Sequence, residues 1–287
     1  MNSRAGVLFP EQDANRRPNR SCENSSERIS RRRWSRRLNR GTARAQQRRL
    51  AKMFLKRFRL KGMVKESIEL VRITEEELKM RSASGASVLD VRLGTKFAEG
   101  HFPGSLNVGL GGRTFAACVE LFLAKQSEIL LVVDKPEEAG RAQTDLVCCG
   151  FDKVLGFIEA GDLTELHQLT QLSVFDLNST LLRGGKPAIL DVRSSGEWRS
   201  SGISASKNIP LANLAARVLE LSCSNPLVVV CQDGYQSAVA SSWLQANGFD
   251  SVQYLLGGMD AYTNTPFREY VEAFSFGSLR SGSTASF

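Results

Sequence analysis

The chain of 287 residues is 42% apolar and 24% charged, enough for packed cores and too apolar for a wholly disordered protein. Its net charge of +8 is unevenly placed: residues 1–60 carry 16 Arg and 2 Lys against four acidic residues, a balance of +14, and the remainder is −6. No run of about 18 apolar residues occurs, which argues against a membrane-spanning helix, and two histidines, His101 and His167, are too few for most histidine-rich metal sites.

Residues 1–62 read as a basic, disordered tail, with a basic helix as an option over 43–60. A solvated tail, a misplaced start (Met53 or Met63 beginning the folded part) and an arm for nucleic acid or anionic lipid all stay open. Nucleic-acid binding would rest on this tail alone. Glu11 and Asp13 argue against an organelle-targeting segment, and no apolar run marks a secretory signal. The six cysteines, Cys22, Cys118, Cys148, Cys149, Cys223 and Cys231, form no CxxC pair. That favours free thiols in a reducing, cytoplasmic setting over a disulfide framework or a zinc ribbon.

An internal repeat begins near residue 63. VLDVRLGTKFAEGHFPGSLNV is answered by ILDVRSSGEWRSSGISASKNI, with Asp90, Phe97 and Asn107 matching Asp191, Trp198 and Asn208 at an offset of 101. GFDKV at 150–154 matches GFDSV at 248–252 at an offset of 98. The expected organisation is therefore two tandem copies of one domain, 63–168 and 169–275, followed by a flexible C-terminus at 276–287.

In the first copy, Thr74 to Glu77 resembles a capping box opening a helix. In the second, strands are predicted at 188–192, 207–209, 227–230 and 251–255. Helices are predicted at 194–201, 211–221 and 237–246, the last ended by Asn247-Gly248. A final short helix follows Gly257-Gly258. Short strands alternating with helices imply an α/β fold, each copy a mainly parallel sheet with helices on both faces. Ligands in such folds sit at the carboxyl ends of the strands.

The segment LVVVCQDGYQSAVASSWLQANG places Cys231 directly after the strand expected at the centre of the sheet. Gln232, Asp233, Gly234, Tyr235 and Gln236 then form a tight loop, and Ser237 enters a helix. Inward-pointing amides and the positive end of the helix dipole favour an anion in such a loop. A thiolate there is expected to have a lowered pKa and to act as a nucleophile, or to carry an extra sulfur as a persulfide. The alternative is a buried structural thiol at a strand end. Cys118, Cys148, Cys149 and Cys223 read as structural, with Cys148–Cys149 as a strained redox pair the lesser option.

The two DVR motifs at 90–92 and 191–193, GHFPGSLNV at 100–108, CQDGYQS at 231–237 and Leu256-Gly257-Gly258 together resemble tandem rhodanese domains over about residues 64–270. The resemblance implies sulfur transfer through a persulfide on Cys231, with Gln232 to Ser237 as the substrate-binding loop. It also implies that Asp191 and Arg193 support the neighbouring strand end. No metal and no cofactor are implied. Phosphatases of the same fold use a loop one residue longer, so the six residues from Cys231 to Gln236 suit a smaller sulfur centre.

Two departures matter. Gln236 stands where sulfurtransferase loops often have Arg, and Asp233 adds negative charge, so thiosulfate turnover is expected to be weak. In the first copy Asp134 is read at the nucleophile's position, with a loop-to-Gly150 segment one residue shorter, so that copy is expected to be non-catalytic. His101 is read as a packing or rim residue. The pair is also similar to the rhodanese tail of metallo-β-lactamase-fold fusions, so the chain is a candidate fragment or separate partner of such a persulfide dioxygenase. The expected activity is sulfur transfer from thiosulfate or a low-molecular-weight persulfide to a thiol or cyanide-like acceptor. The alternative is a weak or non-catalytic module that senses or carries persulfide and scaffolds a partner.

Overall fold

The computed structural model describes residues 70–112, 114–223 and 225–265; the segments read as a basic tail and as a flexible C-terminus lie outside them. Cys22 lies outside them too. Two parallel sheets carry the architecture. In the first, β1 (Ser87–Asp90), β2 (Leu106–Asn107), β3 (Ile129–Val133) and β4 (Val154–Glu159) lie in the order β2-β1-β3-β4. Arg72 adds an isolated parallel bridge to Phe157, beyond β4. In the second, β5 (Thr170–Leu172), β6 (Ala188–Asp191), β7 (Lys207–Asn208), β8 (Leu227–Val230) and β9 (Val252–Leu255) lie in the order β5-β9-β8-β6-β7. With the Arg72 bridge counted as the counterpart of β5, the two orders are the same.

The helices of the first half are α1 (Glu75–Ala83), α2 (Gly94–Glu99), α3 (Phe115–Phe122) and α4 (Pro136–Cys148). Those of the second are α5 (Val174–Leu182), α6 (Ser195–Ser201), α7 (Leu211–Arg217), α8 (Tyr235–Ala246) and α9 (Gly258–Asn264). Local chemistry explains most boundaries. Thr74 caps α1 by accepting the Glu77 N–H, while the Glu77 carboxylate turns to Arg81 at 2.5 Å instead of back to the cap. Ser194 and Glu197 form a reciprocal capping box on α6. Gly248, at φ +89°, ends α8, with the Phe249 N–H returning to the Leu244 carbonyl. The helix expected over 211–221 stops at Arg217 and tightens into a 3₁₀ turn, Val218–Glu220.

Alternation along the strands sorts the core into three parts. Leu131 and Val133 of β3, Val229 of β8 and Cys231 just after β8 belong to one central cluster; Leu130 and Val132 fill an outer cluster of the first half, Val228 and Val230 one of the second. The central cluster is shared by both halves, and Phe122 meets Trp243 across it with ring centroids 5.2 Å apart.

Helix α8 is the shared element. Every residue from Ser237 to Leu244 is buried, and the polar ones among them are all serines. Ala238 sits so close to α2 that a Cβ on Gly94 would lie 2.7 Å from its own. Ser242 Oγ accepts the N–H of Asn107, on the edge strand β2, at 2.9 Å. That bond satisfies an edge amide that would otherwise be left without a partner on burial.

Candidate active site

Strand β8 delivers Cys231 at its carboxyl end, in the position where ligands of parallel sheets gather. The chain turns through Gln232 and Asp233 to Gly234, whose φ of +96° is the left-handed geometry that favours glycine. Helix α8 then begins at Tyr235, two residues before the predicted start at Ser237. The first amides of α9 hold the loop from the other side: the Met259 N–H donates to the Cys231 carbonyl at 2.8 Å and the Asp260 N–H to the Gln232 carbonyl at 2.9 Å. This approach requires Gly258, because a Cβ there would stand 2.4 Å from the Cys231 carbonyl oxygen.

The side chain of Gln232 is fixed as well. Arg193 is buried and clasps Asp191 with Nε and Nη2, the latter at 2.7 Å from Oδ2. Its Nη1 donates to Gln232 Oε1 at 3.1 Å, and Gln232 Nε2 donates to Asp260 Oδ1. Asn208 closes the frame by donating to the carbonyls of Asp191 and Arg193. Asp191 and Arg193 therefore act on the loop through Gln232.

Around the sulfur, the Gly234 N–H donates to Cys231 Sγ at 3.1 Å. The thiol donates to Ser237 Oγ at 3.3 Å, and the Ser237 hydroxyl passes the chain on to the Gly234 carbonyl at 3.0 Å. Asp233 Oδ1 lies 3.7 Å from Sγ and accepts the Tyr235 N–H at 3.0 Å. Not all loop amides face the sulfur, because an internal carboxylate takes that of Tyr235.

Cys231 is fully buried, and burial pushes its thiol pKa up. Hydrogen bonding with Ser237 and with the Gly234 amide pulls it down, and the Asp233 charge adds to the rise. The expected lowering is thus corrected: removal from water outweighs the helix start and two amides.

Tyr235 and Gln236 part company. The Tyr235 hydroxyl leaves the sulfur and donates to the Gly109 carbonyl of the first half at 2.9 Å. Its ring fills space that glycine leaves open, since a Cβ on Gly112 would fall 2.2 Å from it. Gln236 faces a cleft of about 940 Å³ between the two halves, which Gln232, Asp233 and Arg193 also line. Cys118 and Leu121 form part of its opposite wall.

The first half needs a correction. Asp90 pairs with Val132, and Asp191 with Val230, so the residue matching Cys231 is Val133 and not Asp134. Val133 and Cys231 also share the central cluster. The strand and the GFD segments then agree on the offset of 98, and the segment to Gly150 is not shorter. Asp134 matches Gln232; its N–H donates to Glu138 Oε2 at 3.0 Å.

His101 is packed, with its ring stacked on Phe97 at 3.7 Å and its backbone bridged to His167; burial lowers its pKa to about 4. Cys118, Cys148 and Cys149 are free thiols. Among the described residues no group of His, Cys, Asp or Glu is placed to hold a metal ion, and no helix is long and apolar enough to cross a membrane. The roles of Gly258, Asp260, Gly109 and Gly112 escaped sequence reasoning. The Gly257-Gly258 pair ahead of a short helix was the available signal for the first two.

A cysteine cradled between a central parallel strand and a helix N-terminus, on a five-stranded α/β sheet, defines the class of domain. A family model for the rhodanese-like domain matches residues 176–265. A thiosulfate sulfurtransferase of Pseudoalteromonas translucida is 31% identical over 84 residues, covering 29% of this chain and 79% of that protein. One from Shewanella oneidensis is 35% identical over 74 residues, covering 26% and 73%. The chain belongs to the rhodanese-like domain family. An adenylyltransferase and sulfurtransferase of Arabidopsis thaliana is 34% identical over 119 residues, covering 36% of this chain, and the match spans only 26% of that relative's length. Among solved structures, a rhodanese-related protein of Thermoplasma volcanium is 26% identical with a TM-score of 0.31, covering 33% of this chain and 90% of that one.

Proposed function

We propose that the protein is a sulfurtransferase that moves sulfane sulfur through a persulfide on Cys231. The observation that carries this reading is the pair of donors and acceptors at one sulfur: the Gly234 amide at 3.1 Å and the Ser237 hydroxyl at 3.3 Å from Sγ. In the first step the Cys231 thiolate attacks the outer sulfur of the donor. A bond forms between Sγ and that sulfur, and the donor's own S–S bond breaks, its electron pair leaving on sulfite or a thiolate. In the second step a thiol or cyanide-like acceptor attacks the terminal sulfur, and the electron pair returns to Sγ. No net oxidation occurs. The Gly234 amide and the α8 N-terminus stabilise the persulfide anion, while Asp191 and Arg193 position the loop through Gln232.

The same reading makes residues 63–168 and 169–275 two copies of one domain, supported by the matching strand orders. Val133 carries no sulfur, so the first copy serves as a buttress. A separate persulfide dioxygenase of metallo-β-lactamase fold is retained as a candidate partner.

A second reading is a module that carries persulfide with little turnover. It draws support from the full burial of Cys231 and from Gln236, which offers an anion no charge. Intact-mass measurement after incubation with thiosulfate or glutathione persulfide separates the two. An adduct of one sulfur atom, absent in Cys231→Ser and released as thiocyanate by cyanide, supports the enzyme. An adduct without turnover supports the carrier, and no adduct removes both.

A further inference from the structure

We propose that the cleft beside Cys231 takes an organic, cationic sulfur donor in preference to inorganic anions, and that Asp233 sets this preference; the inference rests on the sulfurtransferase reading. Three observations converge. The first is the position of the carboxylate. Asp233 Oδ1 stands 3.7 Å from Sγ and occupies the Tyr235 N–H at 3.0 Å. An incoming thiosulfate would meet a like charge at the attacking sulfur and would find that amide already taken.

The second is size. The cleft of about 940 Å³ lies at the upper end of small-molecule sites. It holds the liquid volume of about thirty waters, whereas thiosulfate has five heavy atoms. Leu121, Pro210 and Leu211 line it, and Leu93, at its lip, is 64% exposed. These surfaces fit a carbon body and offer nothing to a small oxyanion.

The third is charge balance. Arg193 is the basic side chain among the described lining residues, and Asp191 offsets it at 2.7 Å. Glu120 is offset by Lys125. Asp233 and Glu197 line the cleft with no ion pair among the described residues. An amine-bearing persulfide would therefore find carboxylates facing its cation and apolar walls beside its carbons.

The test uses the full chain and two probes, thiosulfate and cysteamine persulfide, and measures the rate of sulfur loading on Cys231 by intact mass. The wild type is expected to load faster from cysteamine persulfide. Asp233→Asn keeps an oxygen for the Tyr235 N–H, and is expected to reduce the cysteamine-to-thiosulfate rate ratio about tenfold, an effect of about 1.4 kcal/mol. Glu197→Gln keeps the α6 cap and is expected to shift the ratio in the same direction by less. A ratio unchanged in Asp233→Asn, with Cys231 still loaded, overturns this inference alone. No loading from either donor, in any of the proteins, overturns the sulfurtransferase reading and this inference with it.

Discussion

The Tyr235 hydroxyl donates a 2.9 Å hydrogen bond to the carbonyl of Gly109, 126 residues earlier in the chain. A residue of the Cys231 loop is thereby tied to the half that has valine at the cysteine's position. Tyr235→Phe keeps the ring in its glycine-lined seat and removes only the tether. The expected loss is about 1 kcal/mol, read as a fall in melting temperature of about 2–4 °C. Sulfur loading should slow with it. A variant as stable as the wild type and equally fast to load would show that the tether does nothing for the loop.

Gly258 and Gly184 offer a matched comparison. Both have positive φ, +56° and +81°, but only Gly258 is crowded, by the carbonyls of Cys231 and Gln232 at 2.4 and 2.7 Å. Each alanine variant pays a backbone strain of about 1–3 kcal/mol. Gly258→Ala should in addition displace the loop and abolish persulfide formation, whereas Gly184→Ala should lose stability and keep its loading. Equal loading by the two would remove the role given to α9.

Arg193→Ala leaves the buried Asp191 carboxylate without its partner and frees Gln232. Breaking such a pair costs about 3–5 kcal/mol, measurable by urea unfolding. Arg193→Lys keeps the charge but not the planar fork, so it should fold better than the alanine variant while loading poorly. Restoration of full loading by lysine would mean that charge alone positions the loop.

The Cys231 thiol titrates above its ordinary value of 9, chiefly because it is buried. At pH 7 the thiolate is therefore scarce, and alkylation of Cys231 by iodoacetamide should rise about tenfold per pH unit between 7 and 9. The sign for folding follows. The fold favours the neutral thiol, so its contribution to stability is complete below the unfolded-state pKa and is lost as pH rises through the folded one. Peptide mapping of the alkylated site gives the profile; a plateau reached below pH 8 contradicts it.

Gln236 faces the cleft with hydrogen-bonding groups and no charge. Gln236→Arg adds a cation, which should tighten thiosulfate by about one to two decades, the worth of about 1–3 kcal/mol. The change should appear in the KM for thiosulfate, and unchanged kinetics would refute the account of this position.

Much of the scaffold was legible because local signals agreed. Leu227–Val230 is a β-branched run and forms the central strand with the predicted bounds. Ser194 with Glu197 caps α6, and Gly248 ends α8 where turn chemistry requires. The errors came where the decisive contacts are distant. LLVVD and VVVC each end on a residue unlike its strand, which invited a match of Asp134 with Cys231; only the pairing with β1 and β6 shows that β3 runs one residue further. The raised thiol pKa was hidden for a similar reason. The loop's sequence shows its amides, but not the packing that removes Cys231 from water.

The bond from the Asn107 amide to Ser242 spans 135 residues. During synthesis the first sheet is thus complete in sequence long before the helix that covers its edge leaves the ribosome. A first half expressed alone would present the β2 edge and one wall of the common core to solvent, which is a template for self-association. Dissection of this protein is therefore better done by point substitution than by cutting between the halves.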